Sequence, residues 1–295
     1  MHIGLIGLGR MGGNMRARLR EHDIEVTGFD QNPAVTDAAS VAELVATIPT
    51  PRIVWVMVPA GAITDSVITE LGEHLEAGDL IIEGGNSRFT EDLRHAEQLS
   101  AHGIEYIDAG VSGGIWGHEN GYGLMVGGKT DQVERAMPIF DALRPEGPRE
   151  EGFVHAGEVG AGHYAKMVHN GIEYALMQAY AEGYELLDKR EDIIKDVPGT
   201  FKAWQRGTVV RSWLLELLVR ALEQDPEFEK IAGYVEDSGE GRWTIEEALA
   251  SAVPVPTISA SIFARFVSRQ DQSPAMKAVA ALRQQFGGHG VKDAG

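Results

Sequence analysis

Apolar residues in the first half of the chain follow two alternating patterns. From residue 1 to about residue 155, short apolar runs of strand length alternate with amphipathic segments of helix length. This alternation is typical of parallel strands that are joined by crossover helices. The pattern predicts six strands, at residues 2–6, 25–29, 53–58, 79–83, 105–109 and 124–126.

The pattern changes after Gly157, where the strand signals stop. Apolar residues then recur at helical spacing, for example in residues 212–223, 244–251 and 257–267. We therefore predict an α/β protein with two domains. A doubly wound parallel sheet at residues 1–157 is followed by an all-helical domain at residues 158–295.

A glycine-rich segment that fits GxGxxG lies between the first predicted strand and a helical stretch at residues 14–20. Glycines allow a sharp turn and a close approach of the backbone to a pyrophosphate, while the helix N terminus supplies unpaired N–H groups. Without this context, the segment would equally fit a glycine-rich turn of any α/β protein. The context predicts a Rossmann-type dinucleotide site. Its residues are Gly7, Leu8, Gly9, Arg10, Met11 and Gly12.

Asp30 follows the second predicted strand, at about the twenty-residue spacing expected for a group that holds the adenosine ribose. A carboxylate there accepts hydrogen bonds from the ribose hydroxyls and repels a 2′-phosphate. Neither Gln31 nor Asn32 supplies the guanidinium that NADP sites use. The sequence thus predicts NAD as the cofactor in preference to NADP. The alternative is that Asp30 only caps the next turn.

Three further clusters lie at or near the carboxyl ends of predicted strands, where open α/β sheets bind their ligands. Asn86 can both donate and accept hydrogen bonds, and the amides after Ser112 can form an anion-binding nest. The alternative is that the glycines only serve tight turns. The clusters are Val58-Pro59-Ala60, Gly84-Gly85-Asn86-Ser87 and Val111-Ser112-Gly113-Gly114.

A polar stripe lies on a predicted helix that runs from about residue 160 to residue 187. Lys166, His169, Asn170, Glu173 and Tyr174 are spaced i, i+3, i+4, i+7 and i+8, which places them on one helix face. Apolar residues fill the other faces, so we expect the helix to be packed nearly all round and the stripe to line a cavity. The alternative is a solvated face with an i,i+7 charge pair.

Composition excludes several classes of function. The chain has 295 residues, 43% of them apolar, which is enough to bury a core without disulfides or metals. The absence of cysteine excludes thiolate nucleophiles and Cys-based zinc sites, and no metal site is predicted. A net charge of −18 disfavours a nucleic-acid partner.

The same composition bears on location. No apolar run is long enough to span a membrane, and the chain opens without a basic segment and a long apolar stretch. We therefore expect a cytoplasmic protein without a membrane partner. The acidic surface fits adaptation to a salty cytoplasm, and it equally fits an ordinary acidic enzyme.

The sequence from Lys166 to Tyr174, preceded by Gly160-Ala161-Gly162-His163, resembles the catalytic helix of the 6-phosphogluconate dehydrogenases. That family belongs to the β-hydroxyacid dehydrogenases. Residues 82–87, 111–114, 242–244 and 262–265 also resemble its motifs, so the similarity runs from residue 2 to about residue 289. The length is similar to that of the short branch, which lacks a duplicated helical region.

The resemblance implies oxidative decarboxylation of 6-phosphogluconate in the pentose phosphate pathway. Lys166 would take the proton of the 3-hydroxyl while C3 passes hydride to the nicotinamide, and the resulting 3-keto acid would lose CO₂. Glu173 would then protonate C1 of the enediol and deliver ribulose 5-phosphate. Lys166 must be neutral when it acts and Glu173 protonated when it donates, and burial favours both neutral forms. Asn170 is grouped with these two as catalytic.

The resemblance also implies a set of substrate contacts, with Arg265 as a clamp for the phosphate. Residues 283–289 resemble a C-terminal element that reaches into the neighbouring subunit's active site, which implies a homodimer or homotetramer. The alternative is a frayed polar tail. The implied contacts are Asn86, Ser112, Gly113, Gly114, His169, Asn170 and Tyr174, with Arg283 and His289 from the tail.

Two positions of the sequence depart from the motifs of the family, and two alternative functions remain. Ser238 stands where the longer enzymes have a substrate-binding lysine, and Pro59 where many relatives have lysine near the cofactor. One alternative is another β-hydroxyacid dehydrogenase that acts on a small unphosphorylated 3-hydroxy acid without decarboxylation, against which Glu173 and Tyr174 and the tail residues argue. The other is a non-catalytic dinucleotide sensor, against which the intact catalytic set argues.

Overall fold

The computed structural model describes residues 1–292, and the chain divides into two compact units. The first unit is Met1–Asn170 and the second begins at Gly171, within a long helix. The last strand ends at Gly157, where the strand pattern of the sequence also stops. The predicted domain boundary between residues 157 and 158 stays a prediction.

A seven-stranded sheet forms the centre of the first unit. The strands are β1 His2–Ile6, β2 Glu25–Phe29, β3 Ile53–Val56, β4 Leu80–Glu83, β5 Glu105–Ser112, β6 Gly123–Gly127 and β7 Phe153–Gly157. They are ordered β2-β1-β3-β4-β5-β6-β7 across the sheet. The first five strands are parallel, β6 runs antiparallel to β5, and β7 runs parallel to β6.

Helices follow most strands of the first unit and make up the second unit. Short 3₁₀ turns occur at Gly114–Trp116 and Arg149–Glu151. The helices are α1 Arg10–Glu21, α2 Val41–Thr47, α3 Ala62–His74, α4 Phe89–Ser100, α5 Gly117–Asn120, α6 Thr130–Leu143, α7 Ala161–Asp188, α8 Val197–Trp204, α9 Trp213–Gln224, α10 Glu240–Ala250, α11 Pro256–Val267 and α12 Pro274–Gly287.

The predicted fold class, a Rossmann-type α/β sheet followed by helices, is confirmed. The bounds of β1 and β2 match the prediction, whereas β5 extends beyond it to Ser112 because Val111 and Ser112 pair with β6. The sequence pattern did not predict β7. Its five residues lie at the sheet edge and are never fully buried, so they lack the apolar run that marked the inner strands.

Side chains on the two faces of the sheet form two separate apolar cores, as the alternation along a strand requires. On β3, Trp55 joins one core together with Met15 of α1. Its neighbours Val54 and Val56 join the other core together with Ile68 of α3. The helices therefore cover both faces, and the carboxyl ends of the parallel strands are left as the natural ligand edge.

The second unit has a smaller core of its own. Phe201 of α8 packs with Leu215 and Val219 of α9, and Tyr184 of α7 packs against them. Within the described residues, no helix combines the length and the apolar character that crossing a membrane requires.

Candidate functional site

The three motif glycines between β1 and α1 have different physical roles. Gly7 adopts φ +92°, and an added Cβ there would lie 2.2 Å from the Met57 carbonyl oxygen. At Gly12 an added Cβ would lie 1.9 Å from the Gly7 carbonyl oxygen, so this glycine allows α1 to pack closely on the loop. At Gly9 no heavy atom lies within 4 Å of an added Cβ. The space over Gly9, at the N terminus of α1, is therefore open.

Asp30 directly follows β2 and connects it to the glycine loop. Its Oδ2 accepts the Leu8 N–H at 2.7 Å, and its Oδ1 accepts the Asn32 N–H at 2.8 Å. The second bond is the turn cap that we considered as the alternative role of Asp30. A carboxylate has about four lone-pair sites, so these two bonds leave acceptor capacity.

The cluster after β3 places Val58, Pro59 and Ala60 at the start of α3. Pro59 and Ala60 are exposed, and the Pro59 carbonyl accepts the Thr64 hydroxyl at 2.9 Å. Gly61, at the N-cap of α3, has φ +82°. These residues line the same strand-end edge as the glycine loop, since β3 is parallel to β1 and hydrogen-bonded to it.

In the cluster after β4, packing accounts for the two glycines and Asn86 is exposed. An added Cβ at Gly84 would lie 2.4 Å from Trp55 Nε1, and one at Gly85 would lie 2.7 Å from Glu83 Oε1. Close packing, rather than the tight turn considered as the alternative, therefore accounts for Gly84 and Gly85. Asn86 is the member that faces solvent.

The end of β5 meets the polar stripe of α7. Ser112 Oγ lies 3.3 Å from His169 Nε2, and His169 Nδ1 lies 3.2 Å from Asn170 Oδ1. Beyond Ser112 the chain turns through Gly113 at φ +128° and Gly114 at φ +54°, both in the region that favours glycine. Ser112, His169 and Asn170 are thereby brought together.

Lys166 lies on α7 where the helix packs closely on Gly110 of β5. Its side chain is only 6% exposed, and an added Cβ on Gly110 of β5 would lie 2.5 Å from the Lys166 Cβ. Asn170 is also buried. This part of the stripe is therefore not a solvated face.

The expectation that α7 is packed nearly all round is wrong for this chain. The side chains of Ile172, Leu176 and Met177 are each more than two-fifths exposed. They lie in the part of α7 that belongs to the second unit, and within the chain they are not covered as apolar residues of a helix normally are.

The second unit brings three predicted or discussed residues together. The Tyr174 hydroxyl lies 3.1 Å from Ser238 Oγ and accepts the Ser238 N–H at 3.2 Å. The Arg265 guanidinium stacks on the Tyr174 ring at 3.6 Å from its centroid, and its Nη1 donates to the Glu236 carbonyl at 2.8 Å. Glu173, the neighbour of Tyr174, is half-buried.

The two predicted tail residues are not part of this constellation. Arg283 lies on α12 and His289 lies just beyond it, and both are exposed. The segment is a regular helix up to Gly287, which differs from the frayed tail that we considered as the alternative. Its predicted contact with a neighbouring subunit stays a prediction.

Sequence reasoning missed a buried polar cluster in the first unit, made of residues from β4, α4, β5 and α7. His163 Nδ1 lies 2.7 Å from Asp92 Oδ2, and the Tyr106 hydroxyl donates to Asp92 Oδ1 at 2.8 Å. Asp108 Oδ1 accepts the Gly160 N–H at 2.6 Å, and Asp108 Oδ2 accepts the His163 N–H at 2.8 Å. The only sequence signal for it was a histidine one helical turn before Lys166.

Burial and mutual charge determine the protonation of this cluster. Burial alone lowers the pKa of His163, but the carboxylates of Asp92, Glu83 and Asp108 raise it well above 6.5, so the imidazole is charged. Burial raises the pKa of Asp108 to about 6 against the opposing effect of His163, and burial also raises the pKa of Glu83.

Comparisons with known proteins agree with the predicted family. Residues 2–145 match the model of the NAD binding domain of 6-phosphogluconate dehydrogenase, and residues 162–293 match the model of the 6-phosphogluconate dehydrogenase C-terminal domain. The chain is 40% identical over 301 residues to putative 6-phosphogluconate dehydrogenase YqeC of Bacillus subtilis, which covers 99% of each chain. It is 43% identical over 302 residues to the NAD(+)-dependent, decarboxylating 6-phosphogluconate dehydrogenase of Haloferax volcanii, which covers 99% of this chain and 98% of the relative.

A solved structure of Plasmodium falciparum 6-phosphogluconate dehydrogenase is similar with a TM-score of 0.77 and 27% identity, over 97% of this chain and 65% of that one. A Mycobacterium tuberculosis 3-hydroxyisobutyrate dehydrogenase has the same fold, with a TM-score of 0.72 and 22% identity over 96% of this chain and 99% of that one. The two family models together span almost the whole sequence, and both full-length relatives exceed 30% identity. The chain belongs to the 6-phosphogluconate dehydrogenase family.

Proposed function

We propose that the protein oxidises and decarboxylates 6-phosphogluconate to ribulose 5-phosphate and CO₂ with reduction of NAD. The observation that carries this proposal is the burial of Lys166 against Gly110 of β5 and the burial of Asn170 one turn further along α7, a helix that also bears Glu173. Membership of the family supports the choice of substrate.

The residues of α7 supply the proton transfers. Lys166, nearly excluded from solvent, takes the proton of the substrate 3-hydroxyl as C3 is oxidised to a ketone. When the carboxylate leaves as CO₂, the bonding electrons move to the ketone oxygen, and the Lys166 ammonium stabilises the enolate that forms. Glu173, two helical turns further along α7, gives a proton to C1 of the enediol.

The glycine loop fits a dinucleotide. The open space over Gly9 adjoins the N terminus of α1, where N–H groups and the helix dipole favour a pyrophosphate. Asp30 lies beside this loop with acceptor capacity for ribose hydroxyls. When bound, NAD would accept the hydride from C3 of the substrate. Val58, Pro59 and Ala60 would line the same edge, with Asn86 after the neighbouring strand β4.

Charges near Asp30 support a preference for NAD over NADP. Two arginines of α1 reach the loop after β2 and donate hydrogen bonds to Asp37 Oδ2. The distance is 3.2 Å from Arg16 and 2.9 Å from Arg20. Arg16 also donates to the Val35 carbonyl at 2.8 Å. Asp37 offsets one of these two positive charges and holds both guanidiniums at its own oxygen, while Asp30 supplies a carboxylate at the position that a 2′-phosphate would need.

Substrate contacts are proposed on both units separately. In the first unit, Asn86, Ser112, His169 and Asn170 offer hydrogen bonds to the hydroxyls and the carboxylate, and the amides of Gly113 and Gly114 offer an anion nest. In the second unit, Arg265 is proposed to clamp the phosphate, oriented by its stacking on Tyr174. Ser238 supplies a neutral hydroxyl next to Tyr174 at the position where longer relatives have lysine.

A second copy of the chain is the proposed partner of α12. Met276, Val279, Leu282 and Phe286 repeat every three or four residues along one stripe of this helix, and each is at least 45% exposed. A continuous exposed apolar stripe is typical of a protein interface. Such an interface would place Arg283, on the same helix, next to the partner. The cytoplasmic location and the place in the pentose phosphate pathway stay predictions.

The test supplies 6-phosphogluconate with NAD or NADP and follows reduced nicotinamide and CO₂ in the same reaction. We expect equal amounts of both products and faster turnover with NAD. Reduction without CO₂ would point to a different β-hydroxyacid dehydrogenase, and cofactor binding without turnover would point to a dinucleotide sensor. A Lys166→Met preparation purified in parallel is the control that assigns the activity to this chain.

A further inference from the structure

The buried polar cluster of the first unit has no part in the proton transfers described above. Its members Glu83, Asp92, Tyr106, Asp108 and His163 are each at most 3% exposed. We propose that Asp108 and His163 are positioning residues that set where α7 lies along β5, and thereby where Lys166 stands. This inference rests on the proposed function for its catalytic readout.

Alternate residues of β5 contact successive turns of α7. Asp108 binds the N–H groups of Gly160 and His163, and Gly110 lies beneath Lys166. Ser112 reaches His169. Residues i, i+2 and i+4 of a strand share one face, and residues three apart on a helix are neighbours, so these contacts form one row. A shift of α7 along this row would move Lys166 and His169 together.

Asp108 provides the directional contact in this row. The first N–H groups of a helix have no partner within the helix, and here both oxygens of one carboxylate bind two of them at 2.6 and 2.8 Å. The contact at Gly110 is steric and specifies only how closely the helix approaches. The position along the strand is therefore defined by the bidentate cap.

His163 adds a second anchor at the same turn. Its side chain binds Asp92 of α4, and Asp92 in turn accepts the hydroxyl of Tyr106 from β5. A buried ion pair adds little net stability compared with apolar side chains of the same volume, but it permits fewer alternative arrangements. The first turn of α7 is thus held from two directions, by β5 and by α4.

A metal ion is the competing explanation for this cluster. One ligand-type atom from each of Glu83, Asp92 and His163 lies within 4.8 Å of the others. However, Nδ1 of His163 is already bound to Asp92, and Oε1 of Glu83 accepts the Gly85 N–H at 2.7 Å. Glu83 Oε2 has no hydrogen-bond partner among the described residues, but the imidazole atom that lies 3.7 Å from it, His163 Nδ1, is the one bound to Asp92. Because the Asp92–His163 contact uses two of the three ligand atoms, we assign the cluster to helix positioning.

The test compares Asp108→Asn and His163→Gln with His95→Gln as the matched control. An asparagine keeps the volume of Asp108 and only one of its two acceptors. His95 is an equally buried histidine whose Nε2 lies 2.7 Å from an oxygen of the partly exposed Asp65, so its variant controls for the loss of a buried imidazole elsewhere in the unit. We expect kcat to fall on the order of 10²-fold in the first two variants, because a displacement of about 1 Å suffices for that.

The split between kcat and KM separates positioning from a general loss of stability. We expect KM for both substrates to change less than about threefold, and we expect His95→Gln to lower the melting temperature without changing kcat. Unchanged kcat in folded Asp108→Asn would overturn the proposal. If His163→Gln does not fold, the double variant Asp92→Asn with His163→Gln replaces the ion pair by a neutral hydrogen-bonded pair. Its kcat should then lie within about tenfold of the wild-type value. A kcat of the double variant as low as that of Asp108→Asn overturns the role of His163.

Two measurements keep this proposal separate from the proposed function. If wild-type protein does not turn over 6-phosphogluconate, the proposed function fails, while amide hydrogen exchange of residues 160–166 still tests the anchor. We expect faster exchange there in Asp108→Asn than in wild type or His95→Gln, and equal exchange overturns the anchor. One tightly held metal ion per purified chain, lost in His163→Gln, would replace helix positioning by metal binding.

Discussion

Replacing Gly9 and Gly12 by alanine, one at a time, separates two roles that glycine plays in the loop before α1. An added Cβ at Gly9 meets no heavy atom within 4 Å, and its φ of −61° is accessible to alanine. An added Cβ at Gly12 would lie 1.9 Å from the Gly7 carbonyl oxygen and 3.3 Å from Leu5 Cδ2. The first substitution fills only open space, whereas the second forces α1 away from the loop.

These distances set the expected magnitudes. Relief of the Gly12→Ala clash should cost about 1–3 kcal/mol, as overpacking usually does, and lower the melting temperature by about 3–10 °C. Gly9→Ala should change the free energy of unfolding by less than about 0.5 kcal/mol. If the pyrophosphate approaches the backbone here, the new methyl group removes one charged hydrogen bond worth about 1.5–3 kcal/mol, which raises the Kd for NAD about 10–100-fold.

The assay measures the melting temperature and the Kd for NAD of both variants and of wild type, with the titrations performed well below the lowest melting temperature. The expected pattern is a stable Gly9→Ala protein that binds NAD weakly, and a Gly12→Ala protein that is clearly less stable. Wild-type affinity in Gly9→Ala would refute the placement of the cofactor over Gly9. A loss of stability in Gly9→Ala equal to that of Gly12→Ala would show that the space is not open.

Four further outcomes follow from the site. Lys166→Met should lower kcat by about 10²–10⁴ while the Kd for NAD stays unchanged, and near-normal turnover would remove Lys166 from the base role. Asp30→Ala should lower the ratio of kcat/KM for NAD to that for NADP by about tenfold or more, because the carboxylate no longer repels a 2′-phosphate; an unchanged ratio means that Asp30 only caps its turn. The folded state raises the pKa of His163 well above 6.5, so the contribution of the charged imidazole to the free energy of unfolding is complete below pH 6.5 and is lost as the pH rises through the raised pKa. Urea titrations should show this loss of stability at alkaline pH in wild type and not in His163→Gln. Phe286, which is 97% exposed, should be replaceable by serine without loss of fold but with a smaller particle mass in light scattering, and an unchanged mass would exclude α12 from the interface.

Patterns within a short segment were sufficient to predict the elements in which a physical requirement sets the residue type at a fixed spacing. Strands β1 and β2 were both predicted to the residue. The inner strand β1 is an apolar run, and the edge strand β2, in which buried and less buried residues alternate, ends at the turn that Asp30 begins. The dinucleotide loop could be predicted because three features each need glycine at a definite spacing. These features are the turn, the open space through which a pyrophosphate approaches the backbone, and the close packing of the helix on the loop. The polar stripe of α7 was readable because helical spacing alone places its members on one face.

The pairing of strands that are far apart in the sequence could not be predicted in the same way. The extension of β5 to Ser112 depends on β6, which runs in the opposite direction, and β7 is an edge strand without an inner strand's apolar run. The exposed apolar face of α7 was likewise missed, since periodicity indicates that a residue is apolar and not whether another element covers it.

The sequence by itself determined the Rossmann-type fold class, the glycine loop, Asp30 and the residues of the α7 stripe, because each is encoded by spacing within a short segment. Only the tertiary structure decided that Asp108, Gly110 and Ser112 face α7 in one row and that Asp92 and His163 share a buried charge. Those residues come from separate elements, and their meeting depends on how strands pair and helices pack, which a one-dimensional pattern does not contain.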